Sequence, residues 1–374
     1  MKKNKIAVII IAAGYSSRMD GFKPLLKFGN QTAVECVVST YQQAGVDQII
    51  LVLGHRADEI SPYFKNQPLK LVINEKFDEG MYTSILKGIT QLDEAVDAFF
   101  IHPVDIPLVK PETVKYLMAA SNEISKGIIY PSFLDRRGHP PLIHKKYQNP
   151  ILENKNNGGL KRLLALYEED AVNFPLTDEA ILMDMDTRAD YEALLTYNTL
   201  TAPNLCECYA IWDKFKLPEN IRRHCEKVKQ TAMGLAEQLR EKGLNLDRSA
   251  LRAAALLHDI AKSEKNHAHK GGELLREMGY QNVGDIIADH IDIVIEPDKA
   301  ITENEILYLA DKLVKNDQLM DLEIRKIQTL ALYKDNPEVT EKIAKRYHNA
   351  EVILQKIKRI IGQNNVAFNR SKVD

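Results

Sequence analysis

Two stretches of this 374-residue sequence hold residues whose types and spacing suit chemistry on phosphates. The first is AAGYSSRMDGFKPLL, Ala12 to Leu26, where an apolar run from Ile6 to Ile11 ends. Small residues at Ala12, Ala13 and Gly14 let the backbone approach a ligand closely, and successive N–H groups in such a turn make a nest for phosphate oxygens. Ser16 adds a hydroxyl, and Arg18 and Lys23 add fixed positive charge. The second is ALLHDIAK, which sets His258 and Asp259 at the end of a strongly apolar segment, with His224 upstream and His267, His290 and Asp311 downstream. A carboxylate there must be paired or metal-bound, because burying it alone is costly. Imidazole and carboxylate ligands together suit iron, manganese or zinc. Lys262, just past the pair, is placed to meet a phosphate.

The elements that carry the first stretch alternate. IAVIII, QIILVL, LKLVI, AFFIH and GIIYP read as strands, and 32–44, 81–92 and 111–121 read as amphipathic helices. Strands alternating with helices imply an α/β three-layer fold, Rossmann-like, on a mostly parallel sheet, and ligands of such sheets bind beyond the carboxyl ends of the strands. Around Tyr197 to Lys216 the pattern breaks, for TLTAPNLCECYAIWDKFKLPEN has no sustained period and carries Pro203 and Pro218. Beyond it only long helical periods remain, such as IRRHCEKVKQTAMGLAEQLREKG and VTEKIAKRYHNAEVILQKIKRII, so the second half reads as an all-α bundle. The organisation expected is therefore a first domain at 1–198, a linker at 199–216, a helical domain at 217–362 and a polar, frayed tail at 363–374.

Composition narrows the function. Fifty basic side chains against 52 acidic ones leave a formal charge of −2, which gives no footprint for nucleic acid or an anionic membrane. Cys36, Cys206, Cys208 and Cys225 make no disulfide framework in a chain of this length, and reduced thiols in the cytoplasm are the expectation. The opening MKKNKIAVIIIAAG mimics a secretory signal, but its apolar run is short, and Gly14, Ser16, Ser17 and Arg18 suit a ligand loop better than a discarded peptide. No stretch approaches the ~20 apolar residues of a bilayer span.

With Met19, Lys23 and Leu25-Leu26 after the small residues, the first half resembles the MobA-like nucleotidyltransferases, which open on AAG or AGG, then xSxRM, a Gly and a Lys. Asp20 stands where that family usually has the Gly, with Gly21 one place later, and Ala13 resembles the cytidylyl-transferring branch. NEKFDEGMYTSILKG resembles the family's Gly-Met-x-x-Ser stretch near base and ribose, carried by Gly80, Met81 and Ser84. FFIHPVDIPLV resembles its strand-end carboxylate motif, which implies Asp105 as a magnesium ligand with Asp186 as a second candidate. RGHPPLI and ILMDMDTRADY resemble its later segments, carrying Gly138, His139, Asp184, Asp186 and Asp190, with Arg188 where the family favours Pro. Taken singly, Asp105 also reads as a solvated turn carboxylate and DMDTRAD as an acidic helix start.

The ordered set His224, His258-Asp259 and Asp311, with NHAHKGGELL, DIIADH and LADKLV between and after, resembles the H…HD…D signature of HD-domain phosphohydrolases from about His224 to Lys315. His267 and His290 resemble the extra histidines of HD subgroups that carry two metals, with His269 close enough to leave the ligand choice open. The resemblances imply a bifunctional enzyme. Its first activity would be nucleotidyl, and by the Ala13 leaning cytidylyl, transfer from CTP with Mg2+ to a phosphorylated acceptor. Molybdopterin cofactor leads among the acceptors, and a molybdoenzyme that receives the cofactor is then a partner. The second activity would be phosphate-ester hydrolysis on one or two Fe, Mn or Zn ions. Two rivals stand beside this: a sugar- or alcohol-phosphate nucleotidyltransferase, and an HD hydrolase regulated by a nucleotide-sensing first half.

Overall fold

Ile6–Ala12 (β1) is buried at every position, as a strand must be when it has parallel neighbours on both edges and helices on both faces. In the computed structural model, which describes residues 3–16, 21–154 and 158–362, β1 lies at the centre of an eight-stranded sheet. Its companions are β2 (Gln48–Leu53), β3 (Lys70–Ile73), β4 (Ala98–Pro103), β5 (Ile128–Phe133), β6 (Arg136–Arg137), β7 (Leu142–His144) and β8 (Ala171–Pro175). The order is β8-β5-β7-β4-β1-β2-β3, with β6 hairpinned onto β5. β4, β1, β2 and β3 run parallel, whereas β7 is inserted antiparallel between β4 and β5. Because the chain moves to one side of β1 for β2 and β3 and to the other for β4, the carboxyl ends of β1 and β4 frame a topological switch point.

Helices α1 (Ala33–Ala44), α2 (Met81–Ile89) and α3 (Pro111–Ala120) match the expected segments, and α4 (Arg188–Asn198) closes the unit. α1 starts on a capping box between Thr32 and Glu35 and stops at Gly45, which is left-handed at φ 75°. α2 approaches the sheet so closely that a Cβ on Gly88 would lie 2.2 Å from Ile9 Cγ2.

The chain divides into two units, Met1–Thr199 and Leu200–Asp374. This corrects the expected linker at 199–216. Leu205–Lys214 is a helix (α5), started by a capping box in which Asn204 Oδ1 accepts from Glu207 N and Glu207 Oε2 from Asn204 N, both at 3.0 Å. Its Cys208, Ile211 and Trp212 are buried in the second unit's core, and the Trp212 indole donates to Leu256 O at 2.8 Å. Fewer than three turns, with a buried Glu207 on the inner face, left no period to read. The rest of that unit agrees with the helical text: α6 (Glu219–Arg240), α7 (Arg248–Leu257), α8 (His267–Glu277), α9 (Gln281–Ala288), α10 (Glu303–Leu313), α11 (Leu322–Leu332) and α12 (Pro337–Ile361). A two-stranded hairpin, Val314–Lys315 with Gln318–Leu319, comes after α10. The expected tail at 363–374 lies outside the described residues.

Candidate functional sites

In the first unit, β1 delivers Ala13 and Gly14 and β4 delivers Asp105 to the two sides of the switch point, since Ile11 and Pro103 are partners in register. A cavity of about 440 Å³ opens there, lined by Ala13, Gly14 and Ser16 from the first loop, Lys23, Gly80, Met81 and Ser84, and Asp105 and Asp186. Ala12 is buried at the end of β1 and is not among these lining residues, and Arg18 lies outside the described residues. Gly14 has nothing within 4 Å of where a Cβ would stand, so packing within the protein does not require a glycine there. Close approach by a ligand would. Ser16 is left-handed (φ 61°) and its Oγ accepts from Lys23 N at 3.0 Å, which brings the cation back beside the loop.

The Lys23 ammonium lies 2.7 Å from Asp186 Oδ1 and 3.8 Å from Asp105 Oδ2. The two carboxylate segments are joined by the backbone, Met185 N donating to Asp105 O at 2.8 Å. Burial raises the Asp105 carboxyl pKa, Lys23 works against it, and Asp186 and Asp184 add to the rise. Among the described residues both acids lie beside the Lys23 ammonium, and oxygen donors of this kind suit a magnesium ion. Asp190 has a different role: it forms the capping box of α4 with Thr187, the part an acidic residue plays at a helix start. Ser84 is buried and held by Asn74 Nδ2 at 2.9 Å, a support that the sequence did not single out. Tyr15, Phe77 and Asp78 also line the cavity without having been singled out, although Phe77 and Asp78 stand inside the segment quoted for Gly80. Gly138 and His139 line a second cavity, of about 550 Å³, which shares Met81 and Pro103 with the first. Asp184 stands exposed on the segment before Asp186.

In the second unit, α6 brings His224, the end of α7 His258 and Asp259, the start of α8 His267, the end of α9 His290, and α10 Asp311. His224, His258 and Asp259 form one group whose ligand atoms lie within 4.8 Å of one another, and Asp259, His267 and His290 form another. His269, left open by the sequence, is exposed and belongs to neither. The hydrogen bonds fix what each ring presents. His224, His258 and His290 each direct Nδ1 to a backbone carbonyl, of Asn316 (2.7 Å), Ala255 (2.9 Å) and Ile287 (2.7 Å), so Nδ1 carries the proton. In a neutral ring Nε2 is then a bare acceptor. Those Nε2 atoms face carboxylates: His258 lies 3.6 Å from Asp259 and 3.8 Å from Asp311, and His290 lies 3.6 Å from Asp259.

Lone pair facing lone pair is repulsive unless a cation stands between them. Nε2 of His258, His267 and His290 is buried without a hydrogen-bond partner, even though His267 Nε2 comes within 3.3 Å of Asp259 Oδ1. Burial lowers the His258 pKa to about 4, which keeps the ring neutral and able to ligate. At His224 burial opposes a charge, but Asp311, 3.1 Å from Nε2, outweighs it and raises the pKa. Burial likewise works to raise Asp259 and Asp311, yet the imidazoles and lysines around them hold both far below the ordinary carboxylate range. Lys262 reaches Asp259 at 3.0 Å and Lys312 reaches Asp311 at 2.7 Å. This donor set fits one or two divalent transition ions.

Comparison with known proteins agrees with this division. A family model described as MobA-like NTP transferase domain matches residues 8–172, and one described as HD domain matches residues 221–316. The molybdenum cofactor cytidylyltransferase of Escherichia coli (strain K12) is 26% identical over 187 residues, 50% of this chain and 93% of that protein. The bifunctional protein GlmU of Francisella tularensis subsp. novicida (strain U112) is 25% identical over 161 residues, 42% of this chain and 35% of that protein. Among solved structures, Rv0371c from Mycobacterium tuberculosis H37Rv is 22% identical, covers 52% of this chain and all of its own (100%), and has a TM-score of 0.47.

Proposed function

Given that the chain joins a MobA-like NTP transferase domain to an HD domain, we propose that it is a bifunctional enzyme that transfers a nucleotidyl group with the first unit and hydrolyses a phosphate ester with the second. The observation that carries the transferase reading is the Lys23 ammonium between Asp105 and Asp186 on the floor of the loop cavity. An oxygen of the acceptor phosphate attacks the α-phosphorus of the triphosphate, the bond from that phosphorus to the bridging oxygen breaks, and pyrophosphate leaves. Two anions must be brought together, so the protein contributes cations and oriented donors more than an acid or a base.

Lys23 and the N–H groups of Ala13 and Gly14 would bind the phosphates, with Arg18 assigned to the same task. Asp105 and Asp186 would hold Mg2+, which supplies charge neutralisation at the phosphoryl oxygens. Gly80, Met81 and Ser84, which line the first cavity, would border the nucleoside, and the adjoining cavity at Gly138 and His139 would take the acceptor. CTP as donor and molybdopterin cofactor as acceptor are supported by Ala13 and by the likeness to the Escherichia coli cytidylyltransferase.

For the second unit, the inward-facing Nε2 atoms carry the reading. His224, His258, Asp259 and Asp311 would hold one metal, and His267 and His290 with Asp259 a second; ions of this kind supply an activated water and Lewis acidity at the phosphate. Lys262 stands beside Asp259 to meet the ester.

The test assays the full chain with CTP, GTP and phosphorylated acceptors for pyrophosphate and the nucleotidylated product. Lys23→Ala and Asp105→Ala should each lower transfer on the order of 100-fold or more while the fold stays intact. Near-normal turnover in either variant refutes the site, and equal or better kcat/KM with GTP refutes the cytidylyl assignment.

A further inference from the structure

His102 sits one residue from the end of β4 and three before Asp105, and it is 1% exposed. Its neighbours Phe99, Phe100 and Ile101 are apolar and buried, which is what a central strand needs; an imidazole there costs stability unless both ring nitrogens find partners. Both do. Nε2 lies 2.8 Å from the carbonyl oxygen of Ile106, which can only accept, so Nε2 carries the proton. Nδ1 is then bare and accepts from the Tyr41 hydroxyl at 2.7 Å. Tyr41 is fully buried on α1, and burial raises its pKa so that the hydroxyl keeps its proton. Burial also lowers the His102 pKa to about 3, so the ring stays neutral.

The bond from His102 to Ile106 spans the turn that holds Asp105. That turn is further tied by Val104 N to Ile11 O at 3.0 Å, at the edge of the phosphate loop, and by Asp105 O to Met185 N beside Asp186. These bonds set where the Asp105 carboxylate stands relative to the loop and to the second acid.

We propose that His102 is a positioning residue for the metal-binding carboxylate: it clamps the far side of the Asp105 turn through Nε2–H, and Tyr41 fixes the tautomer that makes the clamp possible. The proposal rests on Asp105 being the magnesium ligand. The His102 ring touches neither the cavity nor the reacting groups, and its effect reaches them through the backbone.

The experiment measures Mn2+ binding to the full chain in the presence of CTP by electron paramagnetic resonance, with thermal midpoints read alongside. The bound Mn2+ that disappears in Asp105→Ala defines the Asp105 site. At that site His102→Phe and His102→Asn should weaken affinity by about tenfold or more. His102→Gln, whose terminal amide stands where Nε2 does and can still donate to Ile106, should stay close to wild type, and Tyr41→Phe should weaken binding in the same direction as the Asn variant. If His102→Phe does not fold, the contrast between Gln and Asn decides. Wild-type affinity in the Asn and Phe variants overturns the proposal, and so does a Gln variant as weak as the Asn variant, since packing alone would then explain both. If Asp105→Ala loses no Mn2+, the metal assignment itself fails and the proposal falls with it.

Discussion

Asp259 belongs to both groups of side chains that could hold a metal, one with His224 and His258 and one with His267 and His290. On the proposed two-metal reading, loss of this shared carboxylate would affect both positions, whereas each histidine would serve one. Elemental analysis of the full chain should therefore find metal largely absent from Asp259→Ala, about one ion per chain lost in His267→Ala if wild type carries two, and His269→Ala unchanged. An Asp259→Ala protein with full metal content would make the cluster structural. Residue type and order pick these side chains out of the sequence, and α6 to α10 are needed to bring them together. The tautomers were not legible. They depend on the carbonyls of Asn316, Ala255 and Ile287, which any residue at those positions would supply. Asn74 and His102 escaped notice for a related reason, since both act through buried hydrogen bonds to partners distant in the chain or on its backbone.

At the scale of elements, Asp178 shows how the segment leading to Asp186 is anchored. Its buried carboxylate accepts from Lys110 N (3.0 Å), Lys110 Nζ (2.9 Å), Thr113 Oγ1 (2.7 Å) and Ala180 N (3.2 Å), joining the start of α3 to the chain after β8. Burial alone would raise its pKa, but Lys110 and these donors outweigh it and the pKa is lowered. A carboxyl depressed in the folded state stabilises fully above its unfolded pKa of about 3.9, and that stability is lost as pH falls through the lower folded value. Asp178→Asn should therefore cost about 3 kcal/mol near neutrality, and the gap to wild type should close as pH falls below about 4. Thermal unfolding of both proteins across that range checks it; a pH-independent gap contradicts the charge-based anchor.

The long β-branched runs made β1 and β2 legible to within a residue. β7 and β8 were missed because Pro140 and Pro141 stand just before the first, and the second is a half-exposed edge strand ending in Pro175. Prolines and polar positions are tolerated there for the same reason that they hide a strand from view.

For the whole molecule, the division at Thr199 and Leu200 changes where the chain can be cut. A fragment beginning near Asp213, inside the linker expected at 199–216, discards most of α5 and with it the buried Ile211 and Trp212. Losing a buried Trp costs about 3 to 5 kcal/mol, a large share of a domain's stability. A fragment from Leu200 to Ile361 should fold cooperatively and bind metal, and one from Asp213 should be markedly less stable or unfolded in circular dichroism melts. Equal stability of the two fragments would return 199–216 to the role of a linker.

That the two halves carry separate chemistries is most directly tested by assaying the full chain for nucleotidyl transfer from CTP to molybdopterin cofactor, with wild type, Lys23→Ala and Asp259→Ala side by side. The expected result is Mg2+-dependent product and pyrophosphate from wild type, a loss on the order of 100-fold in Lys23→Ala, and undiminished transfer in Asp259→Ala. Transfer that survives in Lys23→Ala, or that vanishes with Asp259, contradicts it.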